Sequence, residues 1–145
     1  MAMIKIRLPL YAGVCLLLLW PGCFTARAAA VPGVSLEGGM TLVRAVMCEY
    51  IEAYEPKNIA VVFSINAGKI SCFTSFEGIQ DTTATVHKWF RRDELVTAKR
   101  LTLKPPSWST YSSIQLREAD KGPWRVEIWD DHNHLLQTLR FSVTD

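Results

Sequence analysis

The feature that most constrains the fold of this chain is the regular spacing of its short apolar segments, which turn residues separate at intervals of roughly ten positions. The segments are rich in β-branched and aromatic residues, and their side chains alternate in character. In one of them Thr85, His87 and Trp89 fall on one face, and Val86 and Phe90 on the other. No segment sustains a period of about 3.6 residues, which a helix would require. The pattern therefore predicts an all-β fold.

The pattern predicts seven to eight strands and three hairpins. The hairpins join 60–65 to 69–76, 83–90 to 95–103, and 124–129 to 135–143. Residues 52–58, which include Pro56, are predicted to interrupt the strand pattern after the first strand. The predicted strands are 42–51, 60–65, 69–76, 83–90, 95–103, 108–116, 124–129 and 135–143. This count is typical of an immunoglobulin-like antiparallel β-sandwich of about seven to eight strands, and a jelly roll or small barrel fits the same pattern.

The N-terminus has the three parts of a bacterial secretory signal. Lys5 and Arg7 precede a thirteen-residue apolar run, 8–20, and three alanines, 28–30, follow it. The run is shorter than the roughly 20 residues that span a bilayer, so we expect residues 1–30 to be a cleavable signal peptide and no span to remain. A retained anchor is one alternative, and a lipid anchor at Cys23 is another. The prediction is a periplasmic or secreted protein.

Cleavage at Ala30 divides the chain into a short leader and one domain. Residues 31–39 are rich in glycine and proline and predict a flexible leader, and residues 40–145 predict a single β-sandwich domain. Cleavage removes three of the 16 basic residues, which leaves 13 against 14 acidic ones. A nearly neutral domain argues against nucleic-acid binding, and the basic stretch 91–104 is predicted to be a solvated hairpin face rather than a phosphate site.

Two cysteines, Cys48 and Cys72, remain after cleavage. Outside the cytoplasm such a pair can oxidise, so the two are a disulfide candidate. The alternative is two buried free thiols that pack as small hydrophobic groups. Which of the two holds depends on whether the side chains face each other.

Several strand motifs together resemble a known family. The motifs are Cys48, Cys72-Phe73-Thr74, His87-Lys88-Trp89, Trp108-Ser109-Thr110-Tyr111-Ser112, Gly122-Pro123-Trp124-Arg125-Val126 and Phe141-Ser142-Val143. Their order and spacing, from Cys48 to Val143, are similar to the bacterial domain-of-unknown-function family numbered twenty-nine fourteen. The resemblance implies an exported or membrane-attached β domain of unassigned activity. The chain departs from that family at Ser107 and Ser109, where arginines are usual, and at the late turn 130–134.

Four tryptophans lie in the predicted domain. Trp89 and Trp124 sit within alternating strands and are predicted to pack in the core. Trp108 and Tyr111 follow a double proline, and their odd spacing along a strand would point them to opposite faces. We predict that one of them is exposed and contributes to a binding face for a glycan or a partner protein.

The remaining groups of polar residues give weaker evidence for a metal-binding or catalytic site. Asp130, His132 and His134 are candidate zinc or copper ligands, but a hydrophilic turn needs the same residues, and the turn is favoured. His87 is predicted to be a buried histidine bonded to the backbone rather than a catalytic base. The sequence contains no nucleophile elbow, C-x-x-C pair or phosphate-binding loop.

These observations predict a non-enzymatic module without a cofactor, which binds a protein of the cell envelope or serves as an accessory to one. A glycan-binding module that uses Trp108 and Tyr111 is the alternative, and a metal-binding domain is the third hypothesis.

Overall fold

The computed structural model describes residues 34–35 and 39–145, so the predicted signal peptide and most of the predicted leader lie outside the described residues. The described chain forms ten β-strands. They are β1 Val34–Ser35, β2 Thr41–Glu52, β3 Glu55–Ile59, β4 Val62–Ser64, β5 Lys69–Glu77, β6 Thr83–Arg91, β7 Glu94–Leu103, β8 Ser107–Gln115, β9 Gly122–Asp130 and β10 Leu135–Thr144.

The strands form two five-stranded sheets. In the first sheet the order is β1-β2-β5-β8, and β3 also pairs with β2. In the second sheet the order is β4-β10-β9-β6-β7. Nearly all neighbours are antiparallel, while β4 and β10 run parallel. The predicted all-β, immunoglobulin-like sandwich is confirmed, with ten strands instead of seven to eight.

The two additional strands are short. β1 lies within the predicted leader and pairs Val34 with Leu42 of β2. β3 occupies the segment that Pro56 was expected to interrupt, and it pairs Pro56 with Ile51 of β2. A proline is tolerated there because β3 has a single neighbour, so no ladder bond is lost on its other side.

Two of the three predicted hairpins are confirmed, β6 with β7 and β9 with β10. The hairpin predicted between 60–65 and 69–76 is wrong. β4 joins the second sheet beside β10, whereas β5 joins the first sheet between β2 and β8. The short turn between them therefore carries the chain from one sheet to the other.

Aromatic side chains fill the space between the sheets. Trp89 and Trp124 are buried, as predicted. Phe141 of β10 lies at the centre, stacked on Trp124 at 6.1 Å and edge-on to Trp89 and Phe63 at 6.2 and 6.0 Å between ring centroids. Such pairs contribute beyond the area that they bury.

The helical parts of the described chain are two 3₁₀ turns, Ile65–Ala67 and Glu118–Asp120. In the part of the chain that the structure describes, we find no helix with the length and apolar character needed to cross a membrane.

Candidate functional site

An opening lies between β7 and β8, which are the edge strands of different sheets. The two strands are joined through residues 104–106, and a cleft of about 480 Å³ lies between them. We call it the edge cleft. Its lining comprises Val96, Thr97, Lys99, Ser113, Ile114, Gln115, Arg117, Asp120 and Trp124. A volume of this size lies within the range of about 300–1,000 Å³ that is usual for ligand sites.

Lys99 crosses the edge cleft. Strand alternation places Lys99 on the same side of β7 as Leu101 and the buried Leu103. Its ammonium group donates a hydrogen bond to the backbone carbonyl oxygen of Ser113 on β8. The bond links the edges of the two sheets and occupies one of the carbonyl groups that β8 exposes.

The 3₁₀ turn Glu118–Asp120 forms part of the cleft wall through Asp120. The Asp120 carboxylate accepts hydrogen bonds from Arg91 Nη1 at 2.9 Å and from the Arg117 backbone N–H at 2.8 Å. The Trp124 indole N–H donates to the Asp120 carbonyl oxygen at 2.7 Å. These bonds hold the turn against the floor of the cleft.

The charge of the edge cleft is positive. Asp120 is already paired with Arg91, whereas Lys99 and Arg117 form no ion pair with a described residue. Apolar side chains line the cleft beside these charges, namely Val96, which is 53% exposed, and Ile114. The cleft thus combines an apolar rim, two cations and unpaired strand edges.

Trp108 and Tyr111 are not brought together. Trp108 is the register partner of the core residue Phe76, and Tyr111 is the partner of Phe73 on the outer face of the first sheet. We predicted that one of the two is exposed, but both are, Trp108 by 39% and Tyr111 by 50%. The Lys104 ammonium lies 5.5 Å from the centroid of the Trp108 ring. The two rings therefore cannot act as one flat platform.

The turn after β9 places Asp130, His132 and His134 together. Asp130 Oδ1 accepts the backbone N–H groups of His132 and His134 at 2.9 and 2.7 Å, and Oδ2 lies 2.9 Å from His134 Nδ1. Burial raises the pKa of Asp130, but these hydrogen bonds outweigh it and hold the pKa below its usual value. The Asp130 carboxylate is thus engaged in closing the turn, and the described residues contain no group of three or more side chains suited to hold a metal ion.

Cys48 and Cys72 are both buried, and both are free thiols. Cys48 is the register partner of Ser71, and Cys72 of Met47, so the two thiols point to opposite faces of the first sheet. For that reason Cys48 and Cys72 do not form the disulfide that was one of the two alternatives in the sequence analysis. Burial raises the pKa of Cys48 to about 11 and that of Cys72 further, so neither is an activated nucleophile.

His87 is fully buried, as predicted, but its partners are hydroxyl groups and not the backbone. Its Nδ1 lies 2.8 Å from Ser112 Oγ and its Nε2 3.2 Å from Thr74 Oγ1. Trp89 Nε1 also donates to Ser112 Oγ, at 3.0 Å. Burial lowers the pKa of His87 to about 4. The His87 imidazole is therefore neutral and buried between the sheets, and its role is structural.

The sequence did not predict the edge cleft, since its walls come from different sheets. Lys99 and Arg117 were not singled out as site residues. One signal was available for Lys99, which shares an alternation face with Leu101 and Leu103 although it is charged.

Comparison with known proteins finds one family. The model of the family described as "Protein of unknown function (DUF2914)" matches residues 82–143. The resemblance expected from the strand motifs is confirmed for this segment, which contains both walls of the edge cleft. No curated protein matches the chain.

Proposed function

We propose that this domain is a non-enzymatic binding module of the cell envelope, and that its edge cleft receives an extended segment of a partner protein. One observation carries the proposal: a 480 Å³ cleft lies between two strand edges that have no neighbouring strand among the described residues.

Exposed strand edges are the basis of one common form of peptide recognition. An extended segment can add to a sheet by bonding to the unpaired N–H and C=O groups of an edge strand. Proteins normally protect such edges, and a lysine is a frequent means of doing so. Lys99 blocks only one carbonyl group of β8, that of Ser113. The rest of the edge stays available to a partner.

The side chains of the cleft favour a segment of particular chemistry. Val96 at the rim and Ile114 offer apolar surface, while Lys99 and Arg117 supply positive charge. An acidic side chain flanked by apolar ones would match both features. We therefore propose that the partner segment carries this pattern.

Three features support binding over catalysis. His87 is sealed in the core, both described cysteines have raised pKa values, and the carboxylate in the cleft is paired with Arg91. None of these groups is free to exchange a proton with a substrate in the cleft.

The proposed location follows from the N-terminal sequence. A basic start, a thirteen-residue apolar run and three alanines are typical of a secretory signal. We expect the domain to be digested by protease added to spheroplasts whose inner membrane is intact. Protection from that protease would contradict the proposed location.

Site-specific photo-cross-linking in cells tests the cleft. A photoreactive phenylalanine replaces Val96 at the rim, or Val62 on β4 as the matched control, since both valines are about half exposed. A discrete protein adduct is expected at Val96, and its loss is expected when Arg117→Glu is added but not when Arg100→Glu is added. Equal adducts at both valines, or no effect of Arg117→Glu, would refute the proposal.

Glycan binding is a second candidate, favoured by the surroundings of Tyr111. Its half-exposed ring stands among serine hydroxyls of the outer face, including the bonded pair Ser109 and Ser75. A pull-down on peptidoglycan and polysaccharides tests this candidate. Tyr111→Ala should weaken retention, whereas Trp108→Ala on the other face of the sheet and Tyr54→Ala, which removes an 86% exposed tyrosine elsewhere, should not.

A further inference from the structure

A second, smaller cavity lies where the β6–β7 turn meets β9 and β10. It measures about 120 Å³, and three arginines line it, Arg92, Arg125 and Arg140, with one carboxylate, Asp93. We call it the arginine pocket. Its remaining wall is formed by Phe90, Pro123 and Trp124.

Two of the arginines are direct neighbours across strands. Arg125 of β9 and Arg140 of β10 are register partners, and like charges in such positions destabilise an antiparallel pair. Arg125 is compensated, since it pairs with Asp93 and, at 2.9 Å, with Glu127. It also lies 4.0 Å from the centroid of the Phe90 ring. Arg125 is therefore a fixed part of the wall.

Arg92 and Arg140 are not compensated in this way. Neither forms an ion pair with a residue that the structure describes. Arg92 is held at the pocket by its backbone, whose N–H donates to the Pro123 carbonyl at 3.3 Å. Its guanidinium lies against Gly122, 3.5 Å from where a Cβ atom would stand. The pocket thus gathers three positive charges around one negative charge.

We propose that the arginine pocket binds a phosphate group, with Arg92 and Arg140 donating to its oxygens. The planar guanidinium group matches tetrahedral oxyanions with two parallel N–H donors. A volume of 120 Å³ is below the range for drug-sized ligands and admits one small group. The bound anion would also offset the repulsion between Arg125 and Arg140. This site is distinct from the edge cleft, although Trp124 lines both.

Arg92 belongs to the basic stretch that the sequence predicts to be a solvated hairpin face. The side chain that changes this interpretation is Arg140, which lies far from it in sequence and is brought beside it by the pairing of β10 with β9. The proposed phosphate could be soluble, or it could belong to the phosphodiester of an anionic lipid headgroup.

Titration of the purified protein with inorganic phosphate at constant ionic strength tests the proposal, with tryptophan fluorescence as a readout because Trp124 lines the pocket. Saturable binding is expected for the unmodified protein. Arg92→Gln and Arg140→Gln should each weaken it about tenfold, as expected for the loss of one charge-assisted hydrogen bond. Arg100→Gln, which removes an exposed arginine from the same face of the sheet, should change it less than about twofold.

Sedimentation with vesicles distinguishes the two sources of phosphate. Binding to phosphatidylglycerol vesicles but not to phosphatidylcholine vesicles, abolished by Arg140→Gln and competed by inorganic phosphate, would identify a lipid headgroup. Binding of inorganic phosphate without vesicle binding would identify a soluble ligand. Absence of saturable binding in both experiments, or equal losses in the Arg140→Gln and Arg100→Gln variants, would overturn the proposal.

Discussion

The ammonium group of Lys99 in the second sheet donates a hydrogen bond to the backbone carbonyl oxygen of Ser113 in the first sheet. The bond joins the two strand edges that enclose the edge cleft, and it lies beside the buried contacts of His87 and Ser112. Lys99 therefore both connects the sheets and protects the exposed edge of β8.

Replacement of Lys99 by methionine removes the charge and keeps most of the stem. The free energy of unfolding should fall by about 1 kcal/mol, because the Ser113 carbonyl loses a charged donor but can still reach water. Self-association should increase, since the Ser113 carbonyl group on the edge of β8 is no longer blocked. Urea denaturation and sedimentation velocity measure the two effects, with Lys69→Met, an exposed lysine at the start of β5, as the control. Unchanged values for Lys99→Met would contradict this role.

Replacement of Ser112 by alanine should be more costly. Ser112 is 4% exposed and bonds to both His87 and the Trp89 indole, so its loss leaves two buried polar atoms without a partner. A destabilisation of about 3 kcal/mol is expected from such a loss. The matched control is Ser109→Ala on the outer face, whose exposed bond to Ser75 should be worth under about 1 kcal/mol. Equal effects of the two substitutions in urea would show that the buried network is not important for stability.

His87 predicts a pH dependence of stability. Its pKa is about 4 in the folded protein against an ordinary value of 6.5, so the unfolded chain takes up the proton first as the pH falls. Stability should be full above about pH 6.5, decline by about 3 kcal/mol towards pH 4, and level off below it as far as this group is concerned.

Urea midpoints between pH 7 and pH 4 measure this effect, and His87→Gln should flatten the decline. Should the variant not fold, an NMR titration of the His87 ring in the unmodified protein gives the pKa directly. A ring that titrates near 6.5 would contradict the prediction.

The burial of Cys48 and Cys72 predicts that both thiols are alkylated and oxidised slowly. Cys48 and Cys72 are fully buried and face opposite sides of their sheet, so both should stay reduced and resist maleimide at neutral pH until the protein is unfolded in urea. Peptide mapping by mass spectrometry reads the two sites separately. Recovery of a peptide pair linked through Cys48 and Cys72 would show that the register of β2 and β5 is incorrect.

The sequence predicted what depends on local alternation. All eight predicted strands exist, and Trp89 and Trp124 lie in the core, because a half-buried strand must alternate apolar and polar side chains. β3 was missed because Pro56 and its polar neighbours resemble a loop, and only its position at a sheet edge makes the strand acceptable.

Which strands pair with each other could not be predicted from local alternation. Residues 60–65 and 69–76 are close in sequence and look like a hairpin, yet β4 pairs with β10, with register partners such as Val62 and Ser142 that are 80 positions apart. The edge cleft and the arginine pocket depend on such long-range choices. Arg140 meets Arg92 only because β9 lies between β10 and β6.

The parallel pairing of β4 with β10 has a consequence for biosynthesis. Phe141 and Val143 belong to the buried core and come from the last strand of the second sheet to be made. Until the ribosome has released residue 143, β4 lacks its neighbour and the rings of Phe63, Trp89 and Trp124 lack their central contact. A topology in which so many contacts join distant parts of the chain folds slowly, so the nascent chain exposes its apolar side chains until the last strand is available.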